Sequence, residues 1–137
     1  MGKVVDILQH KGVEIHGIAP DATVQEAVVR MVAANVGSLL VLDDDELVGI
    51  VTERDYLRRV ALSDRPARSL EVREVMTSPV VSVSSETTIE ECMVLMTERR
   101  VRHLPVVDDG RLVGVVSIGD LVKARSAEQA TRLNVLQ

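Results

Sequence analysis

Apolar and polar residues follow one another in blocks that recur in the same order in the two halves of the chain. Short apolar runs at Val13–Ile18 and Val80–Val83 predict strands. Each run is followed by a Thr-x-x-Glu signal, beginning at Thr23 and at Thr88. This signal has the form of a capping box and predicts the start of an amphipathic helix. Each half is therefore expected to begin with a strand followed by a helix.

Two further apolar runs follow each predicted helix and are joined by an acidic turn. Asp and Gly at such a turn favour a tight hairpin between two strands. A second helix is expected to begin at Asp55 in the first half and at Asp120 in the second, and the polar, Pro-containing segment 63–66 marks a linker after the first of these. The four hairpin strands are predicted at Ser38–Leu42, Leu47–Thr52, His103–Val107 and Leu112–Ser117.

The recurrence is an internal repeat with a fixed offset. Shifting the chain by 65 residues aligns 19–56 with 84–121 without a gap. Upstream, Asp6–Leu8 aligns with Glu74–Met76 at an offset of 68, so the first copy carries a three-residue insertion near Gln9–Gly17. Identical pairs include Thr23/Thr88, Glu26/Glu91, Met31/Met96, Leu39/Leu104, Asp43/Asp108, Gly49/Gly114 and Asp55/Asp120.

Each copy thus has the order β-α-β-β-α over about 60 residues, a size that is marginal for independent folding. We therefore predict a mixed fold of the α+β or α/β class. In it, two repeats pack sheet against sheet with pseudo-twofold symmetry and bury both apolar faces. Repeat 1 is expected over residues 1–68, with an N-terminal segment, and repeat 2 over 69–137, with a C-terminal helical tail.

Composition narrows the classes of partner. Hydrophobic residues make up 46% of the 137 residues but aromatic residues only 1%, so the core must be aliphatic. The net charge of -5 and the lack of aromatic stacking platforms make nucleic acid an unsuitable ligand. No apolar run approaches the 18 residues of a membrane span, so a membrane is not expected as a partner. The lone Cys92 cannot build a disulfide framework, and the cytoplasm is the expected location.

Motifs in both copies resemble those of CBS (cystathionine-β-synthase) domains. They are Leu47–Asp55 in the first copy, and Val75–Thr77, His103–Asp108 and Leu112–Asp120 in the second. The specific element is the paired Gly-x-x-(Thr/Ser)-x-x-Asp motif at fixed offset, and the resemblance covers about residues 5–125. It implies a module of paired repeats, usually dimeric, whose two clefts bind AMP, ADP, ATP, NAD(H) or S-adenosylmethionine and regulate an enzyme, a channel or another partner.

The two motif carboxylates, Asp55 and Asp120, are the main candidates for binding. Simple helix capping by Thr52 and Ser117, with an acid three residues on, is one interpretation. The other is that Asp, shorter than the Glu of the first helices, is left free to face outward. It would then accept both hydroxyls of a ribose, as acidic residues do in dinucleotide folds. Capping is compatible with phosphate contact at the same helix start.

Basic residues near these motifs are candidates for phosphate contacts, the alternative being ordinary solvated charges. Arg54 adjoins the first motif. Arg102 and His103 precede a strand where copy one has Gly37 and Ser38, so the two clefts are expected to differ and the second to bind more tightly. Aliphatic walls would enclose adenine. The full set of predicted ligand-binding residues is Ile15, His16, Ser38, Thr52, Arg54, Asp55, Val80, Val81, Arg102, His103, Pro105, Ser117 and Asp120.

We expect no enzyme activity and no catalytic cofactor, because no nucleophile-and-base spacing is recognisable. His10, His16 and His103 lack the spacing of a zinc site. The pattern predicts a homodimeric sensor that signals energy or redox state to an unidentified partner protein through bound adenine nucleotide. The alternative is a dimerisation or scaffold module without ligand.

Overall fold

A computed structural model describes residues 2–12 and 14–136, with the backbone alone described at 131–136. The chain forms two compact units: a middle unit of residues 15–80, and a terminal unit of residues 1–14 and 81–137. In chain order the helices and strands are α1 (Val4–Lys11), β1 (Gly17–Ile18), α2 (Val24–Ala34), β2 (Ser38–Asp43), β3 (Glu46–Thr52), α3 (Glu53–Asp55), α4 (Val72–Val75), α5 (Ile89–Arg99), β4 (His103–Asp108), β5 (Arg111–Ser117) and α6 (Ile118–Leu136).

The middle unit is a small mixed sheet covered by helices. β1 runs parallel to β2, and β2 runs antiparallel to β3. The Thr23 hydroxyl accepts a hydrogen bond from the Glu26 N–H at 3.1 Å and so caps α2. α3 continues into a π-helical turn, Tyr56–Val60, and a 3₁₀ turn, Ala67–Ser69, precedes α4. The aliphatic core of this unit is Ile18, Val24, Ala27, Met31, Leu39, Val41, Val51, Val60, Leu70, Val72 and Val75.

The terminal unit repeats this plan with a two-stranded hairpin, β4 and β5. Thr88 and Glu91 form a reciprocal capping box at the start of α5, as the sequence predicted. Cys92 lies fully buried on α5 and belongs to the core of this unit. The other buried core residues are Val4, Ile7, Leu8, Val83, Ile89, Met96, Leu104, Val106, Val116 and Leu121.

The predicted acidic hairpins are confirmed, and every hairpin strand agrees with its prediction to within one residue at either end. Asp44 and Asp45 have φ of 48° and 69°, and Asp109 and Gly110 have φ of 50° and 76°. Two consecutive residues with positive φ make a turn whose twist matches that of the flanking strands. Asp tolerates this left-handed region better than most residues do, which explains the acidic turn.

The predicted opening strands are largely wrong. The first shortens to Gly17–Ile18, and Val13 lies outside the described residues. In the second copy only Val83 pairs, through a parallel bridge to Val106. Pro79 has no N–H to offer a sheet, and the Ser84 N–H bonds to the Thr87 hydroxyl at 3.0 Å, which turns the chain into the cap of α5.

The second helices begin two residues earlier than predicted, at Glu53 and Ile118. Two short helices, α1 and α4, were not predicted, although the alignment at offset 68 had paired their sequences. The spatial units also divide the chain differently from the proposed repeats at 1–68 and 69–137, since α1 belongs to the terminal unit and α4 to the middle unit. Each unit therefore contains the hairpin of one repeat and the short helix from the start of the other repeat. We call these short helices, α1 and α4, the entry helices, and each with the residues directly after it an entry segment.

The motif glycines provide the space for these entry segments. A Cβ on Gly114 would lie 2.7 Å from Leu8 Cδ2, at the end of a flexible side chain. A Cβ on Gly49 would lie 2.5 Å from Met76 Sδ and 3.2 Å from the backbone oxygen of Thr77. Because backbone cannot move aside as a side-chain tip can, Gly49 is the stricter of the two positions.

We predict that Gly49→Ala lowers the free energy of unfolding by about 1–3 kcal/mol, the usual cost of overpacking. Gly37→Ala is the matched control, because the atoms nearest to its Cβ would be those of the Glu53 carboxyl group, at 3.5 Å or more. That variant is expected to change stability by less than about 0.5 kcal/mol. Urea denaturation of both variants measures the difference, and equal stabilities would contradict the packing role of Gly49.

Candidate functional site

In the middle unit, Asp55 is held at the turn from β3 into α3. Its Oδ2 accepts hydrogen bonds from the Thr52 N–H at 3.0 Å and from the Thr52 hydroxyl at 3.1 Å. Its Oδ1 accepts from the Thr77 hydroxyl at 3.2 Å, and the residue is only 8% exposed. The expectation that Asp55 is free to face outward is therefore wrong, because its short side chain closes a capping box on Thr52.

Thr77 reaches Asp55 because its backbone is tied to β3. The Thr77 N–H donates to the Ile50 carbonyl at 2.8 Å, and the Ile50 N–H donates to the Thr77 carbonyl at 3.1 Å. Thr77 belongs to the Val75–Thr77 motif, but the sequence reasoning assigned it no contact. Its 22-residue separation from Asp55 leaves no periodic signal for that contact.

In the terminal unit, Asp120 closes the equivalent turn from β5 into α6. The Ser117 hydroxyl accepts from the Asp120 N–H at 3.1 Å, and Asp120 Oδ2 accepts from the Ser117 N–H at 2.8 Å. The same Oδ2 accepts from Lys11 Nζ at 2.8 Å, and the Asp120 side chain is 25% exposed. The Asp120 side chain is thus engaged by Ser117 and Lys11 but stays partly exposed, so its contact with a ligand stays a prediction. Lys11 was not predicted as a site residue. The one signal in the sequence that could have drawn attention to it is its position inside the insertion of the first copy.

Predicted site residues at the hairpin starts do come close to these turns. Ser38 pairs with Thr52 in the β2–β3 register, and His103 pairs with Ser117 in the β4–β5 register. The Arg102 carbonyl accepts from the Ile118 N–H at 2.9 Å, as the Gly37 carbonyl accepts from Glu53 at 3.0 Å. Each unit therefore gathers a strand start, a hydroxyl and an Asp at one edge of its hairpin.

The remaining predicted residues are placed less uniformly. His16 adjoins β1, since its carbonyl accepts from the Leu40 N–H at 2.9 Å, and Ile15 beside it is 37% exposed. Arg54 is exposed on α3. Pro105 is fully buried in β4. Val80 belongs to the middle unit and Val81 to the terminal unit, and both are half-buried. Contact of these residues with a ligand stays a prediction.

The Asp120 carboxyl carries the main electrostatic feature of the terminal-unit site. Burial, the largest influence, acts to raise its pKa, but the hydrogen bonds from Lys11 and Ser117 together with the Lys11 charge outweigh it. The pKa of Asp120 is thereby lowered from its usual value. The carboxylate is consequently ionised at neutral pH and can accept hydrogen bonds from hydroxyl groups.

Two kinds of chemistry find no support in the part of the chain that the structure describes. No group of three or more His, Cys, Asp or Glu side chains in residues 2–12 and 14–136 is arranged to hold a metal ion. Burial, with a further contribution from the Glu91 charge, raises the pKa of the Cys92 thiol to about 11, so the nucleophilic thiolate is scarce. Each helix among the described residues is too short or too polar to span a membrane.

The lowered pKa of Asp120 predicts a stability change in acid. A carboxyl whose pKa is lower in the folded than in the unfolded protein stabilises the fold above the unfolded pKa, near 4. That contribution is lost as the pH falls through the folded pKa. Lys11→Met should raise the pKa of Asp120, measured by carboxyl NMR titration, and should shrink the loss of stability between about pH 5 and pH 2. An unchanged Asp120 titration would contradict the ion pair.

Comparison with known proteins identifies both repeats. The family model of the CBS domain matches residues 4–62 and 72–127. The CBS domain-containing protein YhcV of Bacillus subtilis is 36% identical over 118 residues, which cover 85% of this chain and 84% of that protein. The solved structure of a Burkholderia ambifaria protein, named for signal transduction and CBS domains, has a TM-score of 0.88 at 45% identity, and the match covers 93% of this chain and 96% of that one.

A third similarity is to part of an enzyme. Inosine-5'-monophosphate dehydrogenase of Methanocaldococcus jannaschii is 39% identical over 117 residues. The match covers 84% of this chain but 22% of the dehydrogenase, so it extends over a small part of that enzyme. The names of the Bacillus and Burkholderia proteins describe CBS domains and signal transduction and no enzyme activity.

Proposed function

Since this chain belongs to the CBS-domain family, whose paired repeats are generally regulatory modules for adenine nucleotides, we propose that it is a sensor of AMP, ADP, ATP or NAD(H). Binding signals energy or redox state to a partner protein. The chain acts without catalysis of its own and needs no catalytic cofactor. The lone, buried Cys92 supports a reducing compartment, for which we propose the cytoplasm.

The observation that carries the proposal is the twofold occurrence of a hydroxyl and an Asp at a strand-to-helix turn beside a strand start. Thr52 with Asp55 and Ser117 with Asp120 place an acceptor for ribose hydroxyls next to backbone N–H groups. A carboxylate accepts from both hydroxyls of a ribose at once. In the terminal unit, α6 is long enough for its N-terminus to favour a phosphate.

The two sites differ in how available their carboxylates are. Asp55 is 8% exposed and all three of its side-chain hydrogen bonds come from Thr52 and Thr77. The Asp120 side chain is 25% exposed. Arg102 adds a positive charge, and His103 an imidazole ring, on the terminal unit where Gly37 and Ser38 stand on the middle unit. We therefore propose tighter binding at the terminal-unit site.

We predict that Asp120→Asn weakens the binding of AMP or ATP about 10- to 150-fold. Asn offers one acceptor oxygen and an amide donor that opposes the second ribose hydroxyl, so a charge-assisted bond of roughly 1.5–3 kcal/mol is lost. The Asn oxygen can still accept the hydrogen bond from the Ser117 N–H, so stability should change by about 0–1 kcal/mol. Calorimetry on nucleotide-stripped protein and thermal melting measure the two effects.

Asp109→Asn is the matched control, because it makes the same charge change in the hairpin turn, where Asn tolerates the positive φ. It should bind nucleotides as the unmodified protein does. If Asp120→Asn melts early but binds normally, Asp120 is a helix cap only. If AMP, ADP, ATP and NAD(H) all fail to bind or shift the melting temperature of the unmodified protein, the scaffold function is the correct one.

We also propose a homodimer, and CBS-domain proteins often form oligomers. The two units leave equivalent apolar side chains exposed on their helices: Val29 with Val94, at 59% and 56%, and Leu57 with Val122, at 60% and 48%. We propose that these side chains contact a second copy, because exposed apolar surface marks interaction sites and an isologous contact uses the same surface on both copies. An isologous dimer would cover them.

We predict that Val94→Lys combined with Val122→Lys weakens dimerisation at least about tenfold, because each places a charge in an apolar contact. Leu62→Lys is the control, since Leu62 is 84% exposed and its equivalent at offset 65 is the small Ala127. Sedimentation equilibrium against the 15.0 kDa monomer mass distinguishes the variants. A stable monomer of the unmodified protein at micromolar concentration would refute the dimer.

A further inference from the structure

Lys11 and Asp120 form an ion pair inside the terminal unit. Lys11 is the last residue of α1, which ends at Gly12 with φ of 81°, and the Gly12 N–H returns to the Leu8 carbonyl at 2.9 Å. This end of α1 is anchored because Leu8 packs where Gly114 leaves space beside β5. The Lys11 side chain reaches Asp120 Oδ2 at 2.8 Å while remaining 35% exposed.

The equivalent carboxylate of the middle unit, Asp55, is not paired with a Lys or Arg among the side chains that the structure describes. Asp55 receives its side-chain hydrogen bonds from the neutral hydroxyls of Thr52 and Thr77 and from one backbone N–H. An ammonium group makes a stronger, charge-assisted bond to a carboxylate than a hydroxyl does. A ribose that approaches Asp120 must therefore compete with Lys11 for the Oδ2 lone pairs.

The inference rests on the proposed function at Asp120. We propose that Lys11 is a specificity residue of the terminal-unit site. Its ammonium group is hydrogen-bonded to Asp120 until a ligand arrives, and it then moves to form a hydrogen bond with the ligand's phosphate. Lys11 thereby makes binding depend on phosphate and discriminates nucleotides from nucleosides. Within residues 2–12 and 14–130, whose side chains the structure describes, no cation pairs with Asp55, so the middle-unit site lacks this exchange.

The physical reason is that displaced charge must find a new partner. When the hydroxyls of a nucleoside's ribose form hydrogen bonds with Asp120, the Lys11 ammonium group loses its bond to that carboxylate and gains no other anion. The loss of the Lys11–Asp120 bond therefore opposes nucleoside binding. A nucleotide brings its own anion close to the same carboxylate. The flexible four-carbon stem of Lys lets the ammonium group swing from one acceptor to the other.

The test compares AMP with adenosine on full-length, nucleotide-stripped protein. Dissociation constants are taken from the NMR shifts of the Ser117 and Asp120 amides, which report the terminal-unit site alone. In Lys11→Met we expect affinity for AMP to fall about tenfold and affinity for adenosine to rise severalfold, so that the preference for AMP falls by at least about 30-fold. Lys11→Arg, which keeps the charge, should retain most of the preference.

Lys3→Met is the matched control, because it breaks another Lys–carboxylate pair of 2.8 Å, with Glu86, at the opposite end of α1. It should leave both affinities unchanged. If AMP binds the unmodified protein but Lys11→Met weakens AMP and adenosine equally, or changes neither, the role of Lys11 is refuted while the nucleotide site stands. If neither ligand binds any form, both the site and the inference are refuted.

Discussion

The structure depends on one reciprocal set of hydrogen bonds, made twice, at the turn from the last hairpin strand into the following helix. The hydroxyl of Thr52 or Ser117 accepts a hydrogen bond from the N–H of the Asp three residues on and so caps the helix. The carboxylate of that Asp in turn accepts a hydrogen bond from the N–H of Thr52 or Ser117. Because these bonds fix the strand end relative to the helix start, they also fix the carboxylate beside the first residue of the neighbouring strand. Stability and the geometry of the site therefore rest on the same atoms.

A second constraint is the close approach of an entry segment to each motif glycine. Met76 packs where Gly49 has no side chain, and Leu8 packs where Gly114 has none. The contact of Met76 with Gly49 brings the adjacent Thr77 to Asp55. The contact of Leu8 with Gly114 positions α1, whose last residue, Lys11, reaches Asp120. Each glycine thus lets its neighbouring segment come close enough for a donor on that segment to reach the carboxylate.

The two copies share one fold but differ in the groups that bind their carboxylates. Core positions match closely, as Met31 and Met96 do, and both hairpins use the same left-handed turn. Around the carboxylates the copies differ, with neutral hydroxyl donors at Asp55 and an ammonium group at Asp120. Equal backbone geometry with unequal donors is the basis of the different selectivities that we propose for the two sites.

Sequence pattern alone determined the repeat, the hairpins, the first helix of each copy and the aliphatic core, because these depend on periodicity and on turn residues close together in the chain. It also identified Thr52, Asp55, Ser117 and Asp120 as one recurring motif. Only the tertiary structure decided which way the carboxylates point and that Thr77 and Lys11 bind them. Those contacts span 22 and 109 residues, and such pairings are set by packing, which local sequence does not encode.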